Sequence, residues 1–335
     1  MKFGILLTSV YDASVDARVQ RRQHEELVRT AEELGFELMV CGQHFLGSEL
    51  RYFQPVPWLT HMAQVAPSMQ VATGIILLSM VNPVDIAEQM ATLDVLTDGR
   101  ATFGVGLGYS GHEFDAFGVE PGTRVARFEE SLELVKALWS GEKVDFAGRF
   151  HSVHGAQPSV RPLQAGGLPV WIGGQAAGAV KRAARMGDAW YAPPFPSHAE
   201  LAQLRKLFLD TRDEHGLATG GDFPLRRELL IAPSREAGME AALDRYRARY
   251  ETYKKWGLSG ENTPVGDGSE LRANIEEQFI LGTAQDCAAE LARLRDELGM
   301  THFVFKPHWP GLPHREAMAQ LEEFGTQVLP GLRHA

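Results

Sequence analysis

The chain has 335 residues, 44% of them hydrophobic, with a formal net charge of −10. That is ample material for a large core, and the acidic balance lacks the basic footprint that general nucleic-acid binding needs. The two cysteines, Cys41 and Cys287, form no CxxC pair, so neither a zinc site nor a disulfide framework is indicated, and no run reaches the ~18 apolar residues of a membrane span. MKFGILLTSVYD at the N-terminus has no small-residue cleavage site and reads as a first strand; a cytoplasmic protein is expected.

In chain order, the first strand covers 3–8. A helix over 19–34 follows, with Leu27, Ala31 and Leu34 on one face and Gly35 at its end. The second strand, 37–41, runs out into Gly42-Gln43-His44-Phe45, and a long loop then carries Arg51, Tyr52 and Phe53. After a helix over 56–66 comes VATGIILLSMVNPVDIAEQMATLDVLTDGRATFGVGLGY (71–109), which reads as strand, helix, strand. Residues 71–78 are apolar without alternation, as expected of a strand buried on both faces in a parallel sheet. Asn82 caps the helix, and Pro83 falls at its first position, where a missing N–H costs nothing. Ile86, Met90, Leu93 and Leu96 give one apolar stripe, and Gly99 is the stop. The fourth strand, 101–107, contains Gly104 and Gly106, and Gly108 follows it.

A longer excursion holds a helix over 125–139 and a hairpin over 143–153. The fifth strand is 169–173, followed by a helix over 176–186. The sixth is 188–192, stopped by Pro193-Pro194 and followed by a helix over 198–215. The seventh strand is 225–232. A charged helix over 236–256 reads as solvated with an apolar stripe, and 257–269 as a polar, mobile connection. Residues 279–282 are a short apolar stop before a Thr283-capped helix; the eighth strand is 302–306, and a helix over 314–328 closes the chain. No linker divides it, so 1–335 is expected to be one domain. Eight strand–helix alternations predict a (β/α)₈ TIM barrel with insertions after strands four and seven; a doubly wound sheet is the competing architecture.

In a barrel the active site gathers at the C-terminal ends of the strands. Gly173 and Gly174 end the fifth strand in PVWIGGQAAGAVKRAA. Either they form a phosphate seat with Gln175, Ala176 and Gly178 at a helix N-terminus, or they make a tight turn with Gly174 at positive φ. GVGLGYSG (104–111) has its third glycine displaced and no helix starting at once, which argues against a dinucleotide fingerprint. Tyr109 and Ser110 just beyond it face a planar ligand or solvent. His44 follows the second strand; a lone histidine is more often structural than catalytic, but its place at a strand end raises the odds of function. Lys306, His308 and Trp309 follow the eighth strand and suit an anionic ring system or a packed rim. His302 starts that strand and belongs to the opposite, stability face. His151 and His154 lack further metal ligands, and there is neither a GxSxG nor a P-loop.

NPVDIAEQMATLDVLTDGRATFGVGLGY, EFDAFGV, RFEESLELVKALWSGEKVDFAGRF and PVWIGGQAAGAVKRAARMGDAW occur in this order, and GQHF follows strand two. In these blocks the chain resembles the bacterial luciferase-like flavin monooxygenases and their deazaflavin-dependent relatives. The resemblance implies a TIM barrel that binds reduced FMN at its C-terminal mouth, with the flavin delivered by a separate reductase. It implies an O₂-dependent monooxygenase working through a flavin C4a peroxide on a small organic substrate, and a homodimer. It implies a non-prolyl cis peptide at Gly74-Ile75 beneath the flavin ring. It also implies a phosphate site at Gly174, Gln175 and Ala176, with Gly178 nearby. His44 becomes the polar group near the ring, with Phe45, Tyr109 and Trp309 shaping the pocket, and 110–167 and the loop after strand seven supplying a lid. Departures from the family pattern are also evident. Gln43 replaces the first of two histidines, Leu107 replaces a phosphate-binding arginine, and Ala176 and Ala179 replace hydroxyl side chains. Phosphate would then rest on backbone amides, with Arg182, Arg185 or Arg51 as cationic help. The alternatives are deazaflavin-dependent hydride transfer and a non-catalytic flavin-binding protein.

Overall fold

The computed structural model describes residues 1–7, 11, 13–47, 50–255, 268–309 and 311–333; the side chains of 248–255 and 268–269 are not among them. Most of the connection 257–269 therefore lies outside the described residues.

Eight parallel strands form the barrel: β1 (Lys2–Leu6), β2 (Leu38–Cys41), β3 (Gln70–Thr73) with its continuation β4 (Ile76–Leu77), β5 (Ala101–Gly106), β8 (Val170–Gly173), β9 (Ala189–Tyr191), β10 (Pro224–Arg226) and β13 (His302–Phe305). Their order is β10-β13-β1-β2-β3-β5-β8-β9, and an Ala192–Leu225 bridge brings β9 back to β10. The TIM-barrel expectation holds. Between β5 and β8 lies an antiparallel hairpin of β6 (Val144–Ala147) and β7 (Ser152–Ala156).

Helices cover the outside: α1 (Ala17–Glu33), α2 (Pro55–Val65), α3 (Pro83–Leu96), α4 (Gly111–Ala116), α5 (Arg124–Trp139), α6 (Ala177–Met186) and α7 (His198–Glu214). The set continues with α8 (Arg235–Lys255), α9 (Gly268–Gln278), α10 (Ala284–Leu298), α11 (His314–Glu323) and α12 (Leu329–Arg333). Their starts follow local chemistry. The Asn82 side chain accepts from the N–H groups of Val84 and Asp85, and Thr283 and Asp286 close a capping box at α10.

Alternation sorts the strand side chains. Phe3, Ile5, Met39, Val71, Phe103 and Ile172 pack outward under the helices in the main core. Leu6, Leu38, Val40, Ala72, Trp171, Ala189, Tyr191 and Val304 form a second cluster inside the barrel. At the N-terminal face, the buried Asp94 of α3 accepts from Leu163 N (2.8 Å), Gln164 N (3.2 Å) and Gln164 Nε2 (2.7 Å), stapling the inserted chain to the barrel.

Several elements depart from the expected boundaries. The seventh strand breaks at the fully buried Arg227, whose guanidinium turns away to donate to the carbonyls of Pro194 (2.9 Å) and Pro196. Beyond the break, β11 (Glu228–Ile231) pairs with β12 (Phe279–Gly282), so 279–282 is a strand and not a stop. Residues 111–116 form a further short helix ahead of the one expected over 125–139. The apolar stripe of α8 is present: Met239, Ala242, Leu243 and Tyr246 bury against Phe279 and Trp309. Among the described residues no helix is long and apolar enough to cross a membrane, and no group of three or more His, Cys, Asp or Glu is placed to hold a metal.

Candidate active site

The C-terminal mouth is organised by an irregularity between β3 and β5. Ala72 pairs with Thr102, and Ile76 with Val105, so Thr73, Gly74 and Ile75 stand against only Phe103 and Gly104: a bulge. The Gly74–Ile75 peptide is cis, at the position the resemblance implies. Thr73 Oγ1 accepts from Gly104 N (2.8 Å) and donates to Gly104 O (2.8 Å), replacing the lost ladder bonds. A Cβ on Gly104 would sit 1.8 Å from Thr73 O, so only glycine allows this approach.

Gly74 and Ile75 are half-buried between fully buried neighbours, which makes them a platform facing the mouth. The Ile75 side chain lies over two glycines: a Cβ would come within 2.0 Å of it at Gly106 and 3.1 Å at Gly173. No side chain rises from these two strand ends. The floor is flat and apolar, which fits a planar ring system.

Gln43 holds the platform from behind. Its N–H donates to Ile75 O (3.1 Å), its Oε1 accepts from Leu77 N (2.9 Å), and its Nε2 donates to Gln54 Oε1 (3.0 Å). Gln54 in turn donates to His44 O (3.0 Å). The residue at the first-histidine position is thus structural. A groove of about 530 Å³ that Gln43 also lines opens on the outer side of the barrel, between α2 and α3, away from the glycine strand ends.

His44 lies at the edge of the mouth with a partner the sequence reading missed. Its Nδ1 is 3.2 Å from Glu113 Oε1, which also accepts from Phe45 N (2.7 Å). Glu113 is 1% exposed and its Oε2 has no partner, while the His44 side chain is 27% exposed. Such a carboxylate fixes the imidazole orientation and leaves Nε2 for proton exchange. Tyr109, 60% exposed, stands edge-on to His44 with ring centroids 5.9 Å apart, on the rim. Ser110 is buried and paired to His112 Nδ1 at 2.6 Å.

The turn after β8 carries Gly173, Gly174, Gln175, Ala176 and Gly178. Gly174 has φ +151°, and a Cβ there would meet Ala179 Cβ at 2.6 Å. Trp190 Nε1 donates to Gly174 O (2.7 Å) and pins the turn from below. No side chain caps α6; the N–H groups of Ala179 and Val180 donate to Ala176 O (2.8 and 3.0 Å), those of Ala177 and Gly178 precede any helical acceptor, and Ala176, Ala177 and Gly178 are exposed. The expected cationic help is engaged elsewhere. Arg182 is buried and bonds Glu129 (2.8 Å), Arg185 lies 3.9 Å from the same carboxylate, and Arg51 donates to the carbonyls of Val15 and Ala13. An anion at this turn would be held by main-chain donors and the helix dipole.

On the far wall, Lys306 is buried with its Nζ 3.8 Å from Glu228 Oε1 and 4.2 Å from the Trp309 ring centroid. Trp309 is fully buried in the α8–β12 cluster, so it supports this wall and does not shape the pocket surface. His308 is buried too, stacked on Tyr11 at 4.7 Å, and burial pushes its pKa down to about 3. His302 sits at the N-terminal face as expected, with its pKa lowered to about 4 by burial.

The pattern of the family described as luciferase-like monooxygenase matches residues 1–325. The chain is 25% identical to the 4-hydroxyprotoasukamycin monooxygenase of Streptomyces nodosus subsp. asukaensis, over 89% of this chain and 83% of that protein. It is 33% identical to the F420-dependent glucose-6-phosphate dehydrogenase of Kineococcus radiotolerans, over 90% of each. Its fold matches the crystal structure of monooxygenase RslO1 from Streptomyces bottropensis with a TM-score of 0.84 at 22% identity, over 98% of this chain and 99% of that one. A monooxygenase and an F420-dependent dehydrogenase thus both stand among its relatives.

Proposed function

The chain belongs to the luciferase-like monooxygenase family, and on that footing we propose that it is a reduced-FMN-dependent monooxygenase of a small organic substrate, supplied by a separate flavin reductase. The observation that carries this reading is the glycine turn after β8. All three arginines that the sequence offered for phosphate binding are engaged elsewhere, which leaves main-chain donors at an exposed helix start. So light a grip suits a flavin that arrives reduced and departs oxidised.

In this reading Gly74 and Ile75 carry the ring system, with Gly106 and Gly173 leaving room for it. Gly174, Gln175, Ala176 and Gly178 receive the phosphate, and Tyr109 closes the rim. Reduced flavin, when bound, supplies the activation of O₂. The chain's own contribution is to orient the ring on the platform, shield it from water and hold or release a proton at His44 Nε2, with Glu113 fixing the imidazole through Nδ1.

A second reading, deazaflavin-dependent oxidation of an alcohol, is favoured by the His44–Glu113 pair. An imidazole backed by a buried carboxylate suits taking the proton of a hydroxyl group. Anaerobic titration separates the two, followed by mixing with O₂. The first reading expects reduced FMN to bind and its reoxidation to slow in the protein's presence. Binding of reduced deazaflavin with no effect on reduced FMN would overturn it in favour of the second.

A further inference from the structure

In the strand order, β10 lies diametrically across the barrel from β3, which carries the platform. This facing wall is polar. Arg226 of β10 donates through Nη2 to Glu228 Oε1 (2.5 Å), and Lys306 Nζ lies 3.8 Å from the same oxygen. Tyr191 of β9 reaches toward the platform: a Cβ on Gly74 would come within 3.1 Å of its ring. The Tyr191 hydroxyl and Arg226 Nε are buried without a hydrogen-bond partner, and Tyr191 as a whole is 7% exposed.

From this wall we infer that Tyr191, Arg226 and Lys306 form a subsite for an anionic oxygen of the organic substrate: a carboxylate, phenolate or enolate. The inference rests on the mouth being the substrate site proposed above. Arg226 Nε can only donate and the Tyr191 hydroxyl can donate as well, so an acceptor satisfies both. Arg226 and Lys306 share the one carboxylate of Glu228, which leaves a positive charge in excess beside these donors, so an acceptor placed there is stabilised further if it carries negative charge. Packing alone does not call for the hydroxyl, since a phenylalanine would fill the same space. The wall also faces the platform directly, so a substrate anchored here presents its other end to the ring system.

The test uses the full-length chain without flavin, with benzoate as the probe and benzamide as its uncharged counterpart, both followed by calorimetric titration. Benzoate is expected to bind and benzamide to fail. Tyr191→Phe, which keeps the ring, is expected to weaken benzoate about 3- to 10-fold, and Lys306→Met about 10-fold or more, the ranges for losing a neutral and a charged hydrogen bond. Circular-dichroism melting confirms that each variant is folded. Equal binding of the two probes, or unchanged benzoate affinity in Tyr191→Phe, would make the cluster a structural ion network and end the proposal. Reduced-FMN titration of the same proteins reports separately on the cofactor reading: loss of flavin binding with benzoate discrimination intact condemns that reading and not the subsite.

Discussion

Replacing Thr73 with valine tests whether the bulge is held by one hydroxyl. Thr73 and Gly104 are both buried, and the side chain satisfies both main-chain groups of Gly104 at 2.8 Å each. Valine has the same shape, so Thr73→Val creates no cavity but orphans a buried N–H and a buried C=O. Each orphan costs about 1–3 kcal/mol, for a total of about 2–6 kcal/mol. A chain of this length unfolds with an entropy of about 0.7 kcal/mol/K, so the melting midpoint is expected to fall by about 3–9 °C. Thr73→Ser is the control. It keeps both bonds and loses one methyl, worth about 1 kcal/mol and about 1–2 °C. Calorimetry of the three proteins measures the stability, and reduced-flavin titration the consequence for the platform, which is expected to weaken only in the valine variant. If the valine and serine variants melt together, the hydroxyl does not hold the bulge and this account of the platform is wrong.

Glu113→Gln removes the charge behind His44 while keeping an acceptor for Phe45 N. A charge-assisted hydrogen bond is worth about 1.5–3 kcal/mol, so turnover is expected to drop about 10- to 100-fold with flavin affinity nearly unchanged; steady-state kinetics beside the flavin titration check this. Asp94→Ala, at the opposite face, leaves the donors of Leu163 and Gln164 unpaired. It is expected to cost about 3–5 kcal/mol and to raise amide exchange at those two residues without affecting flavin binding. Buried histidines set the acid side of stability. His24 and His308 are neutral in the fold, with burial lowering their pKa values to about 4 and about 3. Above about pH 6.5 both are neutral folded and unfolded alike and contribute nothing; below it the unfolded chain takes up protons the folded one refuses. Stability is therefore expected to fall by about 1.4 kcal/mol per pH unit for each, down to about pH 4 for His24 and pH 3 for His308. Denaturant melts at pH 7 and 5 measure the slope, and His308→Phe is expected to remove one histidine's share.

What could be read from the chain was local. Asn82-Pro83 and Thr283 mark helix starts because capping needs only neighbours. The apolar runs at 71–78 and 101–107 gave the parallel sheet, and the eight alternations gave the barrel. What escaped was brought together by closure. Glu113 meets His44 across 69 residues, and nothing in EFDAFGV distinguishes that glutamate from a solvated one. The strand at 279–282 reads as a stop in the sequence because its partner β11 exists only once Arg227 has broken the seventh strand. Arg182 illustrates the converse error: its position near a helix start suggested phosphate, but helical geometry turns it to Glu129 on α5.

The exchange at position 43 shows how one residue divides scaffold from chemistry. A histidine there would offer a ring nitrogen to the mouth and would titrate near neutrality. The glutamine amide instead accepts from Leu77 N and donates to Gln54 in the same plane, while the residue's own N–H holds Ile75 O. Neither end of an amide ionises at accessible pH, so the bulge keeps its anchor whatever the protonation state of the mouth. In the function proposed above, proton chemistry at this edge falls to His44, whose carbonyl is tied to the same amide chain through Gln54 and whose ring is held by Glu113. Gln43→His would put a titrating group into the anchor itself. The bond to Leu77 N needs an unprotonated ring nitrogen, so the flavin affinity of that variant is expected to fall with acidification between pH 7 and 5 beyond any fall in the parent. Parallel pH profiles for the two proteins would show that position 43 has no part in holding the platform.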